Sequence, residues 1–328
     1  MKKRLTGLLC LLLASALAFA GCAGKDAPAK EENGRLKILC TIFPEYDWVR
    51  QILGERTNEV DLDFLLDSGT DLHSFQMTTD DKIAILNSDL FIYTGGESDK
   101  WVDDVLRDAP DLKALNLLEA LGGRAKAEQA LEGMQETEEE DEEEEELDEH
   151  IWLSLRNASV LSEVILGELV SLDPGHADEY KENLKAFQAS LNGLDMEYEN
   201  SVKGARYNSV MFCDRFPFRY LTEDYGLTPY AAFSGCSTES QASVETQTFL
   251  IEKLNELGLP AVIVTESSDQ ATAKTVVNSS NDKDRKIVVM DSMQSVTAQK
   301  AEQGCSYLDT MTDNLKQLRV ALGYADAQ

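Results

Sequence analysis

One stretch constrains the fold of this chain more than any other. From residue 176 to 202, apolar side chains recur at helical spacing (Tyr180, Leu184, Phe187, Leu191, Leu194, Tyr198), with one glycine, Gly193, and no proline. The pattern predicts a single helix of roughly 27 residues, about 40 Å long at 1.5 Å per residue. On both sides of it short apolar runs alternate with amphipathic segments. Before it, strands are expected at 36–43, 60–66 and 89–93, with helices at 46–53, 79–87, 101–106 and 157–170. After it, strands are expected at 208–212, 261–265 and 286–290, with helices at 246–257, 271–278 and 307–322. Strand–helix alternation of this kind builds mainly parallel sheets. The expected fold is therefore α/β: an N-terminal lobe over 36–175, a rigid linking helix over 176–204 and a C-terminal lobe over 205–328.

Charge narrows the function. The 328 residues carry a formal net charge of -30, and twelve of the sixty acids fall in the run 136–149, which ends on His150. Such a field repels nucleic acid and anionic lipid, and it attracts cations. The run cannot build a core, so 132–149 is expected to be a disordered surface loop, an antechamber that gathers cations in front of His150.

The N-terminus reads as an export signal. Lys2, Lys3 and Arg4 precede an apolar run from Leu8 to Ala20 that is too short to span a bilayer. The run closes on Ala20-Gly21-Cys22, which resembles a lipoprotein cleavage site. Residues 1–21 are then a signal peptide, Cys22 the lipidated residue and 22–35 a tether. The mature chain is expected on the extracytoplasmic face of a bacterial cell membrane, held by lipid alone, with no transmembrane helix, and as a monomer. Cys40, Cys213, Cys236 and Cys305 remain, as buried thiols or as disulfides, Cys236 with Cys305 being one of the pairings.

The chain has three histidines. His73 lies in a polar loop after a strand and suits either a metal ligand or a satisfied loop histidine. His150 stands at the inner edge of the acid run. His176 starts the long helix with no second ligand nearby. Glu266 and Asp291 end strands, where ligands of open α/β sheets gather, although Glu266 also suits a helix cap. No HExxH, paired CxxC, GxSxG, GxGxxG or Walker A motif occurs, which favours a binding protein over an enzyme. A metallohydrolase using Glu266 as base is the weaker reading.

In order along the chain, Thr41-Ile42-Phe43-Pro44, Asp71-Leu72-His73-Ser74-Phe75, Ser88-Asp89-Leu90-Phe91-Ile92-Tyr93, His150-Ile151-Trp152-Leu153, Thr265-Glu266-Ser267-Ser268, Val289-Met290-Asp291-Ser292 and Ser306-Tyr307-Leu308 resemble the metal-binding solute-binding lipoproteins of zinc and manganese ABC transporters (cluster A-I, zinc-uptake type). The resemblance covers nearly the whole mature chain. It implies two lobes about one long helix, a metal in the cleft between them, and delivery to an ABC transporter permease in the membrane. It implies Zn²⁺ as the ligand, with Mn²⁺ as the alternative, and His73, His150 and Asp291 as its holders. At the family's third ligand position, the ungapped match puts Arg215, whose guanidinium cannot coordinate a cation. Asp214, Cys213 and Glu266 are the candidates to replace it. Arg215 also leaves open a surface adhesin or interaction lipoprotein whose metal site has changed.

Overall fold

The structure, a computed structural model, describes residues 34–135, 146–237, 239 and 241–325. The expected signal peptide, Cys22, most of the tether and residues 136–145 of the acid run lie outside the described residues. Strands β1 (Lys37–Cys40), β2 (Asp61–Phe64), β3 (Leu90–Tyr93) and β4 (Ala114–Asn116) form one parallel sheet in the order β2-β1-β3-β4. Strands β5 (Ser209–Phe216), β6 (Thr228–Ser234), β7 (Ala261–Thr265) and β8 (Lys286–Met290) form a second, in the order β6-β5-β7-β8, again parallel. The helix Ala177–Gly204 runs between them in the chain. Its start is tied down locally: Asp173 accepts hydrogen bonds from His176 Nδ1 at 2.8 Å and from the Tyr180 hydroxyl at 2.7 Å. His176 thus serves the helix entry.

Side-chain alternation along the strands sorts the core. In β5, Val210 and Phe212 face one cluster, while Met211 and Cys213 face another. In β1, Ile38 and Cys40 point one way and Leu39 the other, and β3 and β7 repeat the pattern. Such two-sided burial is what parallel strands under helices require. The larger cluster does not stop at the sheet boundary. It runs without a break from Ile38, Trp48 and Trp152 through Tyr180, Leu191 and Tyr198 to Phe212, Met290 and Leu315. The outer faces carry the two smaller clusters. Cys213 belongs to one of these, packed with Met211, Ala232, Phe233 and Val262.

Three expectations need correction. The acid run is not a solvated loop at its inner end: Asp148 and Glu149 are buried, because residues 146–148 pair back onto 126–128. The backbone nitrogen of Glu128 donates to Glu146 O at 2.7 Å and that of Asp148 to Lys126 O at 2.8 Å. Residues 132–135 are also held, Gln135 N donating to Ala232 O at 2.9 Å. Second, of the two alternatives for the cysteines the disulfide falls: Cys40, Cys213, Cys236 and Cys305 are all free thiols, so Cys236 and Cys305 are not paired. Third, Glu266 caps no helix of its own: its carboxylate accepts from the backbone and hydroxyl of Ser292, both at 2.8 Å.

Candidate metal centre

His73 rides on a short 3-10 turn, Leu72–Ser74, that follows β2. The turn is made rigid by Asp71, whose Oδ1 accepts from His73 N at 3.1 Å, and by buried Leu72. His150 precedes a second such turn, Ile151–Leu153. Asp148 accepts from both the backbone nitrogen and Nδ1 of His150, each at 2.9 Å. The two turns bring the imidazoles together with Nε2 atoms 3.2 Å apart.

The hydrogen-bond network assigns the tautomers. A carboxylate only accepts, so His150 carries a proton on Nδ1, and in its neutral form the lone pair is on Nε2. His73 Nδ1 lies 2.8 Å from Ser98 Oγ. Ser98 is fixed by Glu149, whose Oε1 accepts from Ser98 N at 2.6 Å. Between the two Nε2 atoms sits the side-chain amide of Gln294, its nitrogen 2.7 Å from His73 Nε2 and 2.9 Å from His150 Nε2. An amide nitrogen has two hydrogens, one for each lone pair. His73 is thereby also a bare-Nε2 acceptor with its proton on Nδ1. Burial, then the neighbouring His150 charge, pull the His73 pKa down to about 3. Burial also acts downward on His150, but Asp148, through its charge and its hydrogen bond, more than reverses it and leaves the pKa raised. Two buried, oriented imidazole lone pairs converging on one point are a metal-ligating arrangement; their spacing is close to the roughly 3.3 Å that two nitrogens at zinc distances make in a tetrahedron.

A third donor approaches from the other sheet. Among the described residues, the one group of histidine, cysteine, aspartate and glutamate ligand atoms that gathers is His73, His150 and Cys236, all within 4.8 Å of one another. Cys236 lies in the loop after β6, directly behind Gly235. A Cβ on Gly235 would stand 2.7 Å from His150 Cε1 and 3.1 Å from Phe216 O, so only glycine lets the loop come this close. Burial, followed by the Glu128 and Glu149 charges, pushes the thiol well up.

The other sequence candidates are engaged around this centre rather than in it. Arg215 Nη2 donates to Asp71 Oδ2 at 2.7 Å and to Ser267 Oγ at 3.2 Å, which clamps β5 to the turn carrying His73. Asp214 accepts from the hydroxyl of Thr265 at 2.7 Å and from its backbone at 3.2 Å. Cys213 is in the outer core, where alternation along β5 puts it. Asp291 Oδ1 accepts from Met293 N at 2.8 Å, and Asn314 grips the Asp291 backbone at N and O. Burial raises the pKa of both Asp291 and Glu266, and Glu266 feels the Asp291 charge as well. Together with Met293, which holds a left-handed φ of 61°, these two carboxyls shape the turn that presents Gln294. A cavity of about 370 Å³ lined by Asp71, His73, Arg215, Ser237 and Ser267 leads to the centre.

Sequence reasoning missed Cys236 and Gln294. Their only local signal is position: each lies just beyond the carboxyl end of a strand, where ligands of open sheets gather.

The comparisons agree with this architecture. The zinc-binding lipoprotein AdcA of Streptococcus pneumoniae is 29% identical over 316 residues, covering 94% of this chain and 60% of that protein. The chain thus spans about 60% of the length of that relative. The high-affinity zinc uptake system protein ZnuA of Bacillus subtilis is 26% identical over 318 residues, covering 95% of each. Two solved structures share the fold. The Zn(II)-bound ZnuA-like domain of S. pneumoniae AdcA matches with a TM-score of 0.69 at 24% identity, over 88% of this chain and 99% of that one. The laminin-binding adhesin Lmb of Streptococcus agalactiae (a mutant structure) matches with a TM-score of 0.73 at 21% identity, over the same shares. Residues 38–321, which hold both sheets, the long helix and both histidines, match the family described as zinc-uptake complex component A, periplasmic (ZnuA), and the chain belongs to that family.

Proposed function

We propose that this chain is the extracytoplasmic receptor of a zinc-uptake transporter: tethered by lipid on Cys22, it captures Zn²⁺ between its two lobes and delivers it to a membrane permease. The lobes are taken as 36–175 and 205–328 about the linking helix. It is a binding protein of a transport system, not an enzyme. The observation that carries the reading is the facing pair of bare imidazole nitrogens, His73 and His150, 3.2 Å apart and bridged only by an amide. Neutral imidazole suits zinc, and the burial that holds His73 uncharged keeps its lone pair available. Among the described residues no helix is long and apolar enough to cross a membrane.

Gln294 has two parts to play. In the empty protein its amide nitrogen satisfies both imidazoles. When a cation enters, a half-turn of the amide presents the oxygen instead, and the nitrogen then faces Ser292 Oγ, which sits 3.0 Å from the present position of the oxygen. Asp291 and Glu266 act through the turn that carries Gln294.

Elemental analysis of protein purified without chelator tests the reading. About one zinc per chain is expected, and His73→Ala should lose it. Equal zinc in both proteins would show that the metal sits elsewhere.

A further inference from the structure

The donor set around the histidine pair lacks a carboxylate. Asp214 is spent on Thr265, Glu266 on Ser292 and Asp291 on Met293, and Arg215 is clamped between Asp71 and Ser267. What reaches the pair instead is a sulfur. Cys236 lies within 4.8 Å of the ligand atoms of both histidines, and a tetrahedral zinc site needs a nitrogen–sulfur separation of about 3.6 Å. Rotation of the thiol, or a movement of about 1 Å in the loop that follows β6, covers the difference. The loop is already built for contact, because Gly235 has no room for a Cβ against His150. Nor is Cys236 committed to a disulfide: all four described cysteines are free, and Cys40 and Cys213 are buried in the core.

We propose that Cys236 is the third metal ligand, as a thiolate, so that the centre is His73, His150, Cys236 and the Gln294 amide oxygen. The proposal rests on the zinc reading of the histidine pair. As the sulfur lone pair bonds to zinc, the S–H bond breaks and its proton leaves to solvent; no electron changes hands. One thiolate leaves the zinc centre with a single positive charge, and buried carboxyls stand behind the imidazoles, Asp148 at 2.9 Å from His150 Nδ1 and Glu149 at 3.9 Å from His73 Nδ1. A sulfur ligand also fixes the substrate class. Thiolate favours zinc and disfavours Mn²⁺, which prefers oxygen donors. The receptor should therefore discriminate against manganese through Cys236.

Cobalt(II) is the probe, added to metal-free full-length protein. The wild type should show visible d–d bands together with a near-ultraviolet thiolate-to-cobalt charge-transfer band. Cys236→Ser should keep the d–d bands, lose the charge-transfer band, and lower the zinc-over-manganese preference at least tenfold in competition binding. If wild type shows d–d bands that vanish in His73→Ala but no charge-transfer band, Cys236 is not a ligand and the histidine reading stands. If wild type takes up neither cobalt nor zinc, the zinc reading fails and the thiolate proposal falls with it.

Discussion

Gln294 is the residue on which the chemistry of the centre turns. Its amide meets two lone pairs at 2.7 and 2.9 Å and is supported by Ser292, which in turn is held by Glu266. An amide is neutral, so it serves the empty and the filled site in turn. A carboxylate would serve only the filled one, because its oxygens would face two bare nitrogens with no hydrogen between them. Gln294→Glu is therefore expected to tighten zinc about tenfold, near 1.4 kcal/mol, and to lower the melting temperature of the metal-free protein. Competition against a chelator and a thermal melt of each form measure the two effects; weaker zinc binding in the variant would refute the amide's role. The sequence made His73 and His150 legible because histidine is scarce and His150 ends an acid run. It could not expose Gln294 or Cys236. Gln294 meets the histidines across 221 and 144 residues of chain, and its partner within its own loop, Ser292, gives no sign of them. Asp291 drew attention because it ends β8 on a charge, yet the turn it initiates delivers the glutamine three residues later.

At the scale of elements, the start of the first helix shows how the fold tolerates buried acid. Glu45, in the helix Phe43–Leu53, accepts from Thr41 N and Oγ1 at 2.9 Å, from Ile42 N at 3.3 Å and from Thr94 Oγ1 at 2.9 Å. Despite these bonds, burial and then the charge of Asp99 push its pKa up to about 8. Asp99 itself is raised to about 7 by burial and by Glu149. Unfolded glutamate gives up its proton near 4.5, while folded Glu45 keeps it until about 8, so the native state holds more protons across that window. Stability from Glu45 is thus full below pH 4.5 and lost as pH rises through 8, on the order of 5 kcal/mol. Urea midpoints of the metal-free protein at pH 5 and pH 8 should show the fall, and Glu45→Gln should make it smaller, leaving the part due to Asp99. Parallel slopes for the two proteins would rule Glu45 out as the source. Elements with a strong period were readable from sequence: the long helix, expected over 176–202, is Ala177–Gly204. Strand β6 was not, because Pro229 and Gly226 read as loop; as an edge strand it tolerates the proline. Strand β4 has three half-buried residues, too few to show a period.

The whole molecule is less divisible than its two sheets suggest. Trp152, beside His150, donates its indole hydrogen to Ser292 O at 2.8 Å and accepts on its own carbonyl from the Tyr307 hydroxyl at 2.6 Å. Tyr307 N reaches Asp47 at 2.8 Å, Arg50 reaches Cys305 O at 2.8 Å, and Ala298 N reaches Asp67 O at 2.7 Å. The last hundred residues thus supply hydrogen-bond partners to the first forty of the folded region. The apolar cluster follows the same path from Ile38 to Leu322. Its consequence is cooperative. A chain whose halves share one interior has no folded half to fall back on, so it should melt in a single transition, with calorimetric and van't Hoff enthalpies equal. Fragments 34–204 and 205–328, expressed apart, should each lack near-ultraviolet circular dichroism and regain it only when mixed; one fragment that folds alone would break this account. The candidate centre therefore sits where the two halves of the sequence must meet before either can fold.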